Sequence, residues 1–299
     1  MRSEDDKWTI TESVGVTALG VASSRAMETR RPDGLVEDPH AEAFLDAVRD
    51  EVDLPVEVDP QASSTDPASG LTSTYVGVRS RWFDEHLLDA ARDGLDQVVI
   101  LASGLDTRAQ RLPWPAGTTV FEIDQADVVD FKDRVLTETE GSPEPAPDGG
   151  VRRVALRVDL RQDWPAALRE AGFDPGRPSA WLAEGLLPYL PAQAEVDLFD
   201  RIVELSAPGS RIAVEHLADA VDHLDDDELV ATSSRRFGVD VRDLVHTDER
   251  PDPRERLRAA GWTVEEESAG DAAARYGRPL EGPTARAFTS SVFFEARRP

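Results

Sequence analysis

The residues of this chain that could do chemistry gather first between Gln97 and Asp124, in QVVILASGLDTRAQRLPWPAGTTVFEID. Ser103, Gly104 and Leu105 form a tight turn after the apolar run Gln97 to Ala102, and Asp124 closes a second apolar run about twenty residues later. An acid at the carboxyl end of a strand suits the two hydroxyl donors of a nucleoside ribose. A dinucleotide would need G-x-G-x-x-G, so that its pyrophosphate could approach the backbone at a helix N-terminus. Here the matching residues are Ala102-Ser103-Gly104-Leu105-Asp106-Thr107, with one glycine and with a carboxylate, Asp106, where a phosphate would sit. That carboxylate repels a pyrophosphate. It does not repel S-adenosylmethionine, which joins a ribose and adenine to a sulfonium and an α-amino cation and carries no phosphate. On the turn and the acid alone, a βα unit of some other α/β protein stays an equal reading.

The elements that must position these residues follow from periodicity. Gln97–Ala102 reads as a buried parallel strand, Thr107 with Gln110 as a capping box opening a helix to Leu112, and Thr118–Ile123 as the next strand. Helices are expected over Thr11–Arg30, His40–Val48 and Tyr75–Ala91, with Asp53–Leu71 as an irregular loop. After Asp124 come a helix to about Leu136, a Pro/Gly-rich loop Gly141–Gly150, a strand Val151–Val158 and a helix Asp163–Ala171. A short buried strand, Ala180–Ala183, runs into Glu184, and a helix follows Pro191 and stops at Pro208-Gly209. Arg211–Glu215 and Thr263–Glu267 are further strands, and Phe288–Glu295 alternates like an antiparallel edge or near-edge strand. The whole reads as a single domain, 1–299. Residues 1–95 form a helical cap, 96–299 the sheet core, and the acidic stretch 217–253 an excursion from it.

Composition excludes several classes of function. With 33 basic and 59 acidic residues the formal charge is −26, spread along the chain, so phosphate backbones and anionic lipid surfaces are repelled. Nucleic acid and membrane are therefore not expected partners. The absence of cysteine excludes disulfides, thiolate metal sites and cysteine nucleophiles. No apolar run approaches membrane-spanning length and the first residues, MRSEDDKWTI, are acidic, which leads us to expect a soluble cytoplasmic protein. Oligomeric state has no signal in the sequence.

Several segments then occur in one order and at one spacing: VGVTALGVASSRAMETRRPDGLVEDPHAEAF, YVGVRSRWFDEHL, LASGLDTRAQRL, FEIDQADV, VDL and AWLAEGLLPYLP. Together they resemble the actinobacterial S-adenosylmethionine-dependent methyltransferases, a family similar to leucine carboxyl methyltransferases and to some polyketide O-methyltransferases. The resemblance runs from about Ser13 to Leu190 and continues more weakly beyond. It implies an α/β fold of the class I methyltransferase type: a Rossmann-like, mostly parallel seven-stranded sheet with helices on both faces and an N-terminal helical cap. It also implies S-adenosylmethionine as cofactor and a small-molecule methyl acceptor of secondary metabolism. Carried onto this sequence, Gly104 lets the backbone approach the methionine part, Asp124 holds the ribose, and Asp159 and Leu160 flank the adenine. Arg79 pairs with the cofactor carboxylate, and Glu184 faces the amino group or the reacting centre. Ala102 departs from the glycine usual in the family, and its methyl group narrows the approach to the cofactor.

Each of these residues also has a plainer reading. Arg79 and Arg81 suit an exposed helix face, Asp159 a strand-end cap and Tyr189 a packed aromatic. Glu184, between a buried strand and Leu186-Leu187, needs a partner whatever its role. His216 and His223 with Asp219 and Asp222 lack tight ligand spacing, so no metal is expected, and Asp225–Glu228 reads as a solvated helix start. Methyl transfer from a sulfonium is an in-line displacement. A carboxylate acceptor needs no base, whereas a hydroxyl does, and His216 at the end of the fifth strand is then the candidate. The N-terminal helices and the excursion are expected to close over the acceptor, with Arg235, Arg236 and Phe237 as contacts. Two rivals remain at this level: an NAD-dependent oxidoreductase, and a methyltransferase-like binding protein without turnover.

Overall fold

Short runs of β-branched and aliphatic residues become strands here because both faces of the sheet are covered. The computed structural model describes residues 10–11, 14–52, 54–57, 67–140, 150–217, 240–282 and 285–299. Its strands are β1 Gln97–Leu101, β2 Thr119–Asp124, β3 Arg152–Arg157, β4 Ala180–Ala183, β5 Arg211–His216, β6 Thr263–Ser268 and β7 Val292–Arg297. Among the described residues they form a seven-stranded sheet in the order β3-β2-β1-β4-β5-β7-β6. The pairings from β3 through β5 are parallel, and β7 runs antiparallel to both β5 and β6. Strand order reverses between β1 and β4. In an open α/β sheet that crossing is where loops splay apart and leave room for a ligand.

The helices are α1 Val14–Arg30, α2 Ala41–Asp46, α3 Pro67–Arg92, α4 Arg108–Arg111, α5 Ala126–Glu140, α6 Trp164–Glu170 and α7 Ala192–Leu205. Beyond these lie α8 Pro253–Ala259, α9 Ala269–Arg275 and α10 Arg286–Thr289. Strand alternation sends Val98 and Ile100 to one face, where α3 and α9 pack. Val99 and Leu101 go to the other, against Trp164 and Leu168 of α6 and Leu198, Phe199 and Ile202 of α7. A third cluster joins Leu19, Ala22 and Ala26 of α1 to Phe44 of α2 and to Val128 and Phe131 of α5. Among the described residues no helix is long and apolar enough to cross a membrane.

Three expectations about elements are corrected. α3 begins at Pro67, so the end of the expected loop Asp53–Leu71 is helical; Leu71 and Tyr75 are both buried and extend the apolar stripe backwards. The last strand starts at Val292 rather than Phe288, which lies in the short α10; it is antiparallel and next to the edge strand β6, the near-edge place expected of it. Thr107 precedes α4 but its side chain makes no capping bond, so the expected capping box does not form. α8, α9 and α10 were not legible as helices, being short and sparse in large apolar residues.

The N-terminal helices are tied to the C-terminal half through one buried carboxylate. Glu28 on α1 is fully buried, and Arg278, just after α9, donates to it at 3.0 Å. The Leu35 backbone N–H also donates to Glu28, at 3.2 Å. Gly77 on α3 is required beneath it, since a Cβ there would come within 2.7 Å of the carboxylate. Removing one partner of a buried pair leaves an uncompensated charge. Arg278→Ala is therefore expected to lower stability by about 3–5 kcal/mol in denaturant unfolding, with Glu28→Gln in the same chain recovering part of the loss. An Arg278→Ala midpoint equal to wild type would show that the clasp contributes nothing.

Candidate functional site

The carboxyl ends of β1, β2, β3 and β4 open into a cleft of about 320 Å³, a size suited to a small ligand or cofactor. Its floor is the turn Ala102–Asp106 after β1, with Asp124 at the end of β2, Asp159 and Leu160 after β3, and Glu184 and Gly185 after β4. Thr17, Ala18, Val21 and Arg25 of α1 and Arg79 of α3 form a wall, and Ile10, Arg161, Leu186, Tyr189, Leu190 and His246 are among the other lining residues.

The β1 turn is built by backbone conformation. Gly104 has φ +49 and Gly185 φ +61, both in the left-handed region that glycine tolerates. Ala102, at φ +48, is the one non-glycine residue with positive φ among the described residues. A left-handed alanine costs about 1 kcal/mol or more, so the departure noted in the sequence is a strained backbone as well as an added methyl group. The Gly104 N–H donates to Asp124 Oδ2 at 2.6 Å and the Gln125 N–H to Oδ1 at 2.7 Å. Burial pushes the Asp124 carboxyl up to about 6, against those two bonds and the charge of Lys132, with Asp159 adding repulsion.

Asp159 accepts from Gln125 Nε2 at 2.9 Å and from the Arg161 backbone and guanidinium. Burial opposes its ionisation, but the Arg161 bonds prevail and hold its carboxyl below the usual range. On the opposite side, Glu184 lies between two guanidinium groups, 2.7 Å from Arg79 Nε and 2.7 Å from Arg108 Nη1. Despite burial, Arg108 and Arg79 keep it ionised, with its carboxyl lowered. Arg79 also reaches Glu215 of β5 at 3.1 Å, and Glu215 accepts from the Tyr75 hydroxyl and from Gly185 N–H. Arg108 pairs with Asp84 of α3 and with Asp106, whose carboxyl is held at about 2: burial would raise it, but Arg108, Lys132 and Arg111 outweigh that effect.

The structure thus brings Arg79, Ala102, Gly104, Asp124, Asp159, Leu160 and Glu184 to one cleft. Arg81 is exposed and pairs with Glu85. His216, the expected candidate base, does not line the cleft. It ends β5, and burial lowers its pKa, with Arg254 and Arg250 acting in the same direction and Asp252 and Glu266 opposing. The strand turns it away from the cleft, where the sequence had no means of fixing its face. The suggested metal residues Asp219, Asp222 and His223, the run Asp225–Glu228, and the lid contacts Arg235, Arg236 and Phe237 lie outside the described residues. Sequence reasoning missed Arg25, Ser103, Arg161 and His246 as cleft residues. Arg161 carried a signal, two positions after an acid at a strand end; His246, deep in an irregular stretch, carried none.

Comparison with known proteins places the chain in a family and matches its fold. A model of the family described as leucine carboxyl methyltransferase matches residues 18–203. A Rhodococcus jostii relative, named as a candidate S-adenosyl-L-methionine-dependent methyltransferase, is 46% identical over 283 residues, covering 94% of this chain and 93% of its own. A Mycolicibacterium smegmatis relative with the same designation is 44% identical over 299 residues, 99% of this chain and 98% of its own. Among solved structures, a Streptomyces avermitilis protein from a family of undefined function shares the fold with TM-score 0.53 at 16% identity, covering 93% of this chain and 97% of that one. A candidate methyltransferase from Thermobifida fusca has TM-score 0.50 at 17% identity, covering 93% and 94%.

Ala102→Gly removes the left-handed alanine without touching a charge. It is expected to raise stability by about 1 kcal/mol, read as a higher denaturant midpoint, with no loss of S-adenosylhomocysteine affinity. A lower midpoint would mean that packing of the methyl group outweighs the backbone strain.

Proposed function

The chain belongs to the leucine carboxyl methyltransferase family and is an S-adenosyl-L-methionine-dependent methyltransferase, and from that premise we propose that it methylates an oxygen of a small, largely apolar molecule. The observation that carries the cofactor part of the reading is the pairing of Asp124 with the Gly104 turn at the strand-order reversal. Each Asp124 oxygen already accepts one backbone N–H and has a lone pair left for a ribose hydroxyl. Ser103 Oγ, buried in the same cleft, has no hydrogen-bond partner within the protein, as expected of a group that meets a ligand. Asp106, kept ionised by Arg108, opposes a pyrophosphate and so disfavours NAD.

In this reading Asp124 holds the ribose, and Asp159 and Leu160 flank the adenine. Ser103 and the Gly104 backbone meet the methionine part, with Arg79 and Glu184 facing its carboxylate and amino groups. The bound cofactor supplies an electrophilic methyl group on a sulfonium. The protein's part is to orient the acceptor in line and exclude water. Ile10, Val21, Leu186 and Leu190 are apolar residues of the cleft lining, which supports an apolar acceptor. The family's description, which names a carboxyl group, supports oxygen as the atom methylated. A net charge of −26 supports a small-molecule acceptor over nucleic acid or an anionic membrane.

Calorimetry with S-adenosylmethionine, S-adenosylhomocysteine and NAD tests the cofactor site. Both sulfur compounds should bind and NAD should not, and Asp124→Ala should weaken binding by about tenfold or more. The ionised carboxylate is the form that accepts both ribose hydroxyls. Affinity should therefore fall as pH drops through about 6, by up to about tenfold per unit. The same group acts on the empty fold with the opposite sign: its carboxyl is raised above 3.8, so its contribution to stability declines as pH rises from 3.8 to about 6. Equal affinity at pH 5 and 7.5 in wild type would remove Asp124 from the ribose.

A further inference from the structure

On the adenine side of the cleft, and resting on the placing of adenine at Asp159 and Leu160 proposed above, Asp159 is an acceptor whose capacity is already in use. Its Oδ1 accepts from the Arg161 backbone N–H at 2.8 Å and from Arg161 Nε at 2.9 Å. Its Oδ2 accepts from Arg161 Nη2 at 2.6 Å and from Gln125 Nε2 at 2.9 Å. An ionised carboxylate offers about four lone-pair sites, and these bonds occupy them. Adenine beside Asp159 brings one more donor, its exocyclic amine. For that amine to bond the carboxylate, one of the present donors has to leave.

The donors are not held equally. The Arg161 guanidinium grips both oxygens at once, a charge-assisted bidentate pair. The Arg161 N–H belongs to the turn after β3, which the Gln162 N–H closes by donating to Asp159 O at 2.9 Å, so it cannot withdraw unless that turn opens. Gln125 contributes one neutral amide bond from a half-buried side chain of the cleft lining. Its backbone N–H is fixed on Asp124 Oδ1 at 2.7 Å. The residue therefore stays between the ribose and adenine ends while its side chain can turn.

The Gln125 amide also resembles what would replace it. Only the NH2 of a carboxamide can face a carboxylate, which fixes the orientation of that amide. It then sets an N–H donor beside a carbonyl acceptor. Adenine sets out the same pair, with its exocyclic amine and an adjacent ring nitrogen.

We propose that the Gln125 side chain is a placeholder for the adenine amine: Gln125 Nε2 gives up Asp159 Oδ2 to that amine when the cofactor binds, while Arg161 keeps the carboxylate in position. Gln125 is thereby a specificity residue. A base with a donor at this edge recovers the bond it displaces, whereas a base without one leaves Gln125 in place and gains nothing from Asp159. The exchange also keeps cofactor affinity below what the site could reach, because each binding event breaks a bond within the protein.

Calorimetry on the full chain tests the exchange with two ligands, S-adenosylhomocysteine and its analogue in which the base is purine and lacks the amine. Gln125→Ala removes the competitor, and Gln125→Asn has an amide a methylene too short to keep the bond. Both variants should bind S-adenosylhomocysteine about 2- to 10-fold more tightly than wild type. The purine analogue should bind wild type more weakly than S-adenosylhomocysteine does, and should bind all three proteins alike. Structural damage at this position would weaken both ligands, so a gain confined to the amine-bearing ligand is the signature of exchange. If neither variant binds S-adenosylhomocysteine more tightly, the proposal is overturned. An equal gain for both ligands overturns it too, since Gln125 would then be a steric obstacle to the base. Failure of wild type to bind S-adenosylhomocysteine would instead count against the cofactor site itself, and the exchange would fall with it.

Discussion

A carboxylate between two guanidinium groups, Glu184 between Arg79 and Arg108, is the contact on which the cleft depends. Arg79 projects from α3, Arg108 from α4, and Glu184 from the end of β4, so three separately made elements meet on one pair of oxygens. Asp84 of α3 and Asp106 of the β1 turn extend the lattice from Arg108, and Glu215 of β5 extends it from Arg79. Buried charges of this kind add little net stability compared with an apolar core, but they tolerate almost no alternative arrangement, because any slip leaves a charge unmatched. The long helix α3 is thereby held in one rotation and one register above the strand ends, and the floor and wall of the site are fixed relative to each other.

The same economy explains the acidity of the floor. Asp124 is raised by burial, whereas Asp106 and Glu184 are kept ionised by arginines. The first is a group the empty protein holds at a disadvantage, and the others belong to a framework already satisfied. A ligand bringing hydroxyl donors relieves the first without disturbing the second, which separates the part of the site that binds from the part that supports it.

Much of this was legible in the sequence where a local pattern and a tertiary requirement coincide. Gly104 and Asp124 could be read together because a left-handed turn demands glycine and a strand end exposes its last side chain. Ala180–Ala183 was legible because four small or apolar residues bounded by Pro178 and Glu184 fit only a short buried strand. Failures occurred where the deciding contact is remote in sequence. The face taken by His216 depends on its pairing with Val292 across the sheet. The place of His246 depends on Arg250, which bonds its carbonyl and Glu195 of α7, and no periodicity records either. The backward extension of α3 to Pro67 was hidden by serines and a glycine that read as loop but lie on a helix whose packing is supplied by α1 and α9.

The position of β7 has a consequence for how the chain acquires its structure. This strand, last in sequence, is inserted between β5 and β6 and pairs along its whole length with both. During synthesis β6 therefore has no neighbour in the sheet, and the outer side of β5 stays an open edge, until β7 has emerged. The nascent chain must carry an unpaired strand flank across the intervening residues, which makes that interval the one in which association with other exposed strands competes with folding. The run of acids in β6, Glu265, Glu266 and Glu267, makes the waiting strand a poor template for such association, so the charge of the finished surface also guards the unfinished one.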